Sequence, residues 1–151
     1  MTDDRLIYFA GSIRGGRDDR ALYLEIIECL GKYGSVLTEH VADVNLGGEG
    51  ETLNDRQIFK RDIDWLMKSD CLVAEVTTPS LGVGFEIGKA SEWGKPILCL
   101  HRLTEGRSLS AMIAGCNDLI VREYRSSVEV KRIVDDYFLD NKLLSPAWPK
   151  S

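Results

Sequence analysis

The stretch VAEVTTPSLGVGFEIGKA, from Val73 to Ala90, limits the folds open to this chain more than any other. It begins as a strand, Cys71 to Val76, breaks at Pro79, and passes through Gly82 and Gly84 into an amphipathic helix with Val83, Ile87 and Ala90 on one stripe. A small-residue loop that feeds a helix presents free backbone N–H groups at the helix start, and anions are favoured there. Glu86, read as lying in the first turn of a helix from Val83 to Trp93, is then either a cap favoured by the helix dipole or a working carboxylate. Its position three residues after Val83 and four before Ala90 leans it toward the buried side, where something must satisfy it.

The rest of the chain repeats the strand-then-helix pattern. Leu6 to Ala10 is an apolar run ending in GSIRGG, and Asp18 to Tyr33 carries helical spacing at Leu22, Ile26, Ile27 and Leu30 before Gly34 closes it. A short strand, Ser35 to Thr38, precedes a glycine-rich acidic loop, and Asn54 caps a helix running to Ser69. Beyond the central stretch come a strand from Ile97 to Leu100, a short helix from Leu109 to Gly115, a strand from Leu119 to Arg122 and a helix from Ser127 to Phe138. Five strands alternating with helices predict an α/β, Rossmann-like (flavodoxin-like) parallel sheet in the order 2-1-3-4-5, with helices on both faces. In that order ligands bind outside the carboxyl ends of strands one and three, where both glycine-rich loops converge.

Composition narrows the function. At 151 residues with 44% hydrophobic content, the chain has the size and apolar fraction of one domain with a real core, expected over residues 5–139 and followed by a flexible polar tail at 140–151. A net charge of −5 without any Lys/Arg run argues against a nucleic-acid polymer as partner, while leaving small phosphorylated ligands open. Four widely spaced cysteines suit a reducing compartment, and no leader pattern or bilayer-length apolar run stands out, so we expect a soluble protein of the cytoplasm, with the nucleus also open, and no membrane partner.

Two constellations carry chemistry. GSIRGG fits neither the dinucleotide fingerprint nor the Walker loop, but its backbone donors, the Ser12 hydroxyl and the guanidinium groups of Arg14 and Arg17 suit a single phosphate; the plainer reading is a solvated turn with surface arginines. On the second helix Ile58, Trp65, Leu66 and Ser69 mark the inward face, and Asp62 points the same way, whereas Asp64, among Lys60, Arg61 and Lys68, faces water. A carboxylate on an apolar stripe is either a hydrogen-bonded structural partner or a functional acid. Asp62 and Glu86, on the helices before and after strand three, are placed to meet beside a phosphate cradle, which suggests glycosidic chemistry on a nucleotide.

The motifs IYFAGSIRGGRDDRALY, VLTEHV, DIDWL, VAEVTTPSLGVGFEIGKA and LSAMI, spanning Leu6 to about Phe138, closely resemble those of the 2′-deoxynucleoside 5′-phosphate N-hydrolases, relatives of the nucleoside 2-deoxyribosyltransferases. The resemblance implies a homodimer that cleaves the base from a deoxynucleoside monophosphate; the sequence offers no metal-ligand cluster, so neither metal nor cofactor is expected. It makes Glu86 the nucleophile that attacks C1′ and forms a glycosyl-enzyme ester, Asp62 the acid-base partner, and Tyr8 the tyrosine that positions sugar and carboxylate. Gly11, Ser12, Ile13, Arg14, Ser80 and Gly82 match the phosphate pocket, Ser110 matches a serine supplied by the neighbouring subunit, and His40 matches a histidine near the base. Phe85 departs from the tyrosine that relatives can carry before the glutamate, and the loop from Ala42 to Leu53 matches poorly, so the preferred base stays open. Two alternatives also stand: a transferase in which a second base resolves the ester, and a nucleotide sensor without chemistry.

Overall fold

A computed structural model describes residues 5–13, 17–40 and 53–139. Five strands, β1 (Leu6–Ala10), β2 (Ser35–Leu37), β3 (Cys71–Glu75), β4 (Ile97–Arg102) and β5 (Leu119–Tyr124), form one parallel sheet in the order 2-1-3-4-5, as the alternation predicts. The helices are α1 (Arg17–Leu30), α2 (Asp55–Lys68), α3 (Leu81–Glu92), α4 (Ala111–Ala114) and α5 (Ser127–Leu139). The expected tail at 140–151 and most of the expected loop, residues 42–52, lie outside the described residues. No described helix is long and apolar enough to cross a membrane.

Alternation along the strands decides what faces what. Ile7, Phe9, Cys71, Val73, Leu98 and Leu100 point to one face and pack with Tyr23, Ile26 and Leu30 of α1 and Val130, Val134 and Phe138 of α5. Tyr8, Ala10, Leu72, Ala74, Ile97 and Cys99 point to the other, against Leu66 of α2 and Val83, Ile87 and Ala90 of α3. The register pairs Ala10 with Ala74, so the loops leaving β1 and β3 emerge side by side at the carboxyl edge. Gly34 permits the tight entry into β2: a Cβ there would stand 2.5 Å from the Arg5 carbonyl, which accepts the Ser35 N–H.

Several boundaries differ from expectation: α1 ends at Leu30 rather than Tyr33, and α4 starts at Ala111 rather than Leu109. Asn54 caps α2 as predicted, with a reciprocal bond to Gln57. By contrast α3 starts at Leu81 rather than Val83, because the Ser80 hydroxyl accepts from the Val83 N–H and so serves as N-cap. Glu86 is therefore the sixth residue of the helix and lies past its first turn, outside the range of a capping role. Strands β4 and β5 each run two residues further than predicted, to Arg102 and Tyr124.

That extension carries the Tyr124 hydroxyl to Glu75, a carboxylate only 1% exposed at the end of β3. Glu75 accepts from Tyr124 at 2.6 Å, from the Thr77 N–H at 2.6 Å and from the Thr77 hydroxyl at 3.1 Å. Burial, followed by the nearby Glu75 charge, pushes the Tyr124 phenol well up from its usual value, which keeps it a donor. Deleting that hydroxyl in Tyr124→Phe should cost about 1–3 kcal/mol, since a buried carboxylate oxygen loses its strongest donor. Thermal unfolding should then show a melting temperature lower by several degrees (about 2–4 °C per kcal/mol at this size), and an unchanged midpoint would refute the structural role of the contact.

Candidate active site

Tyr8 lies on the middle of β1, 1% exposed, and strand alternation aims it at the face that carries α2 and α3. Glu86 of α3 and Asp62 of α2 both act electrostatically on its hydroxyl. These two carboxylates and the tyrosine converge, as the sequence expectation requires. Glu86 is half-buried overall, but its Oε2 is sealed from solvent and has no hydrogen-bond partner. Burial raises its pKa from the ordinary 4.5 to about 7, with hydrogen bonding to Tyr8 pulling down and the Asp62 charge pushing up. Asp62, 8% exposed, receives the Arg61 Nε on Oδ1 at 2.9 Å. The Tyr8 phenol is itself driven far above its usual range, first by burial and then by Glu86, so it stays protonated and can only donate to a carboxylate or sugar oxygen.

The loop residues assemble on the same edge. Ser12 is buried at 4% and Gly11 is hemmed in: a Cβ there would stand 3.1 Å from the Tyr23 ring and 3.3 Å from His40 Nε2. His40 meets the Gly11 carbonyl through Nε2 at 3.0 Å and packs on Phe9 and Tyr23, so its observed work is to brace the loop after β1. Ile13 is exposed and Arg14 lies outside the described residues. Ser80 caps α3 and Gly82 sits in its first turn, with nothing but the Ser80 hydroxyl within 4 Å of where a Cβ would lie. Ser110 is exposed and makes no side-chain capping bond to α4; with Ser80, Leu81 and Met112 it lines a groove of about 350 Å³ between α3 and α4.

Three features were not foreseen. Glu75 anchors Thr77, whose hydroxyl also accepts the Arg102 N–H at 2.7 Å, while Asp19 of α1 binds both Arg102 and the Thr78 hydroxyl; these bonds fasten the loop just before Ser80. Glu39, two residues past the end of β2, lies close enough to raise the Tyr8 phenol further. Arg61, expected among the solvent-facing charges, instead lays its guanidinium over Trp65 at 4.9 Å and binds Asp62. Its i+4 spacing from an aromatic residue is the one sequence signal that hinted at this. Among the described residues no cluster of three potential metal ligands is present.

A parallel sheet with paired carboxylates and a helix-capping serine at its switch point is the architecture of an α/β protein built to hold a small ligand. The nucleoside 2-deoxyribosyltransferase family profile matches residues 7–126, and the chain belongs to that family. It is 50% identical over 153 residues to the 5-hydroxymethyl-dUMP N-hydrolase of Rattus norvegicus, covering 96% of this chain and 93% of the relative. It is 49% identical over 141 residues to the protein of the same name from Tetraodon nigroviridis, covering 90% and 99%. Among solved structures, the Clostridium botulinum CMP N-glycosidase superposes with a TM-score of 0.67 at 22% identity, covering 88% of this chain and 100% of the other, and at that identity the likeness speaks for the fold.

The raised Glu86 has a definite consequence for stability. Its folded-state value of about 7 exceeds the unfolded 4.5, so folding is unpenalised below pH 4.5 and is progressively weakened as pH rises through 7. A Glu86→Gln protein, neutral throughout, should match the native protein near pH 4.5 and exceed it by on the order of 1–3 kcal/mol at pH 8. Urea unfolding across that range would reveal the gap; a gap that narrows with rising pH would contradict the assigned burial.

Proposed function

We propose that this protein hydrolyses the N-glycosidic bond of 2′-deoxynucleoside 5′-monophosphates, releasing free base and 2-deoxyribose 5-phosphate. The observation that carries the reading is the meeting of Tyr8, Asp62 and Glu86 directly beside the Ser12 and Ser80 loops. The names of the curated relatives support it and favour a 5-substituted deoxyuridine nucleotide as substrate. In this reading Glu86 attacks C1′ as the bond to the base breaks, Tyr8 donates to the sugar or to Glu86, and Asp62 takes a proton from the water that later releases the ester. Ser12, Ser80, Gly82 and the first N–H groups of α3 hold the phosphate, joined by Gly11, Ile13 and Arg14; His40 supports that loop from below. No metal or cofactor has a part in these steps.

We further assign the working form as a homodimer in which Ser110 of one subunit closes the phosphate pocket of the other. The apolar side chains around Ser110 support a pairing face, since Leu81 is 97% and Met112 82% exposed. We assign it to the cytoplasm, with the nucleus also open, because four widely spaced cysteines suit a reducing compartment.

Chromatographic assay of deoxynucleoside monophosphates tests the reaction. The native protein should release base, Glu86→Gln should still bind the nucleotide and release none, and unphosphorylated deoxynucleosides should be much poorer substrates. Incorporation of an added free base would favour the transferase, and binding without any base release would favour the sensor. Subunit mixing tests the dimer. Glu86→Ala and Ser110→Asp should each be nearly inactive, and after exchange about a quarter of native activity should return, because mixed dimers contain one intact site. No recovery despite exchange confirmed by mass spectrometry would place Ser110 in its own chain's site.

A further inference from the structure

The loop that follows β4 delivers a cation to the rim of the groove between α3 and α4. Its start is fixed by the Leu103 N–H, which donates to the Tyr124 carbonyl at 2.9 Å. It then turns tightly: the Thr104 carbonyl accepts from the Arg107 N–H at 3.3 Å, and Gly106 takes the left-handed conformation, φ 81°, that suits the third residue of such a turn. Arg107 leaves the turn exposed and brings its Nη1 to 3.3 Å from the Thr78 hydroxyl. Thr78 lines the same groove as Ser80 and Ser110. It stands two residues before Ser80, so their Cα atoms are at most about 7 Å apart.

Two guanidinium groups reach this corner, and their partners separate their work. Arg102 gives its Nη2 to Asp19 at 3.0 Å, so a carboxylate matches its charge. Arg107 has no carboxylate at ion-pair distance among the described residues, and its bond to the neutral Thr78 hydroxyl is a long one. Most of its five donors are therefore open to an incoming group. Asp19 also holds the Thr78 hydroxyl, at 3.1 Å, so Thr78 keeps its place when Arg107 turns away from it. An exposed, unmatched cation resting beside a serine cap is suited to an anion, and redirecting it sacrifices only a weak bond.

Resting on the function proposed above, we infer that Arg107 is a further substrate-binding residue, whose free terminal nitrogens donate to the 5′-phosphate held at Ser80. A phosphate monoester is a dianion above a second pKa of about 6. Hydroxyls and helix-end N–H groups offer it only partial charges, whereas a guanidinium offers a whole one on a planar fork. Arg107 thus joins Arg14 in favouring nucleotides over nucleosides. Its work is binding, since Glu86 lies six residues along α3 from Ser80, about 9 Å further on.

Calorimetric titration with 2-deoxyribose 5-phosphate, the phosphate-bearing product of the proposed reaction, tests this in two replacements. Arg107→Gln keeps a donor for Thr78 and loses the charge, whereas Arg107→Lys keeps a donor and the charge. Both leave the fold intact, because the side chain is exposed. At pH 8 Arg107→Gln should bind about 10-fold more weakly than the native protein, the lower end for one charge-assisted bond partly in water, and Arg107→Lys should stay within about threefold. At pH 5, where the ester is largely a monoanion, the deficit of Arg107→Gln should shrink to less than about fourfold. On deoxyuridine 5′-monophosphate kcat/KM should fall in step, chiefly through KM, because the contact is made in the ground and transition states alike. Unchanged binding by Arg107→Gln, equal losses in both replacements, or a deficit that is the same at both pH values would overturn the inference while leaving the proposed reaction standing. A native protein that neither binds 2-deoxyribose 5-phosphate nor releases base from any deoxynucleoside monophosphate would overturn both.

Discussion

The buried carboxylate of Glu75 is the contact on which the functional edge of the sheet depends. Strand ends at a carboxyl edge have no neighbour to continue the ladder, and loops leaving them are free to wander unless something inside the protein holds them. Glu75 supplies that hold for β3 by binding both the N–H and the hydroxyl of Thr77, and for β5 by binding Tyr124. Thr77 then reaches β4 through Arg102, and Arg102 reaches α1 through Asp19. One charge of this kind, fully surrounded by donors, is stable only as a complete set, because any missing partner leaves a desolvated oxygen. The Ser80 cap and the start of α3 inherit their position from this arrangement.

The two faces of the sheet divide the labour. On the side of α1 and α5, Glu75, Thr77 and Tyr124 bond one another and fix shape, while the Tyr137 hydroxyl is left without a partner. On the side of α2 and α3 polar groups are left partly unsatisfied: Glu86 Oε2 and both terminal nitrogens of Arg61 lack partners. Strand alternation alone assigns Glu75 to the first side and Tyr8 to the second, so neighbouring strands deliver a structural carboxylate network and a reactive one back to back.

Much of this was legible in the sequence. Alternating strands and helices gave the sheet order, and the stripe of Val83, Ile87 and Ala90 correctly turned Glu86 inward. Helical phase likewise set Asp62 apart from the exposed Asp64. Misplacing Glu86 in the first turn came from starting the helix at its first apolar residue, when Pro79 and Ser80 form the stop and the cap. Glu75 escaped notice because its partner Tyr124 lies 49 residues away, a pairing that only the folded sheet creates. Arg61 was read as a surface charge from its lysine neighbours, since composition cannot show that a long side chain folds back over Trp65.

The early start of α3 makes that helix a gauge. Its capped end and its carboxylate are joined by rigid backbone, with a rise of about 1.5 Å and a turn of about 100° per residue, so neither can drift relative to the other. On the reading proposed here, a substrate is accepted only if the distance from its anionic end to its reacting carbon equals a length written into the helix. A diphosphate would push the sugar beyond the carboxylate, and a bare nucleoside would have no fixed origin from which to be measured. Selectivity for monophosphates would then come from spacing, and evolution could retune the base contacts while leaving this scale untouched.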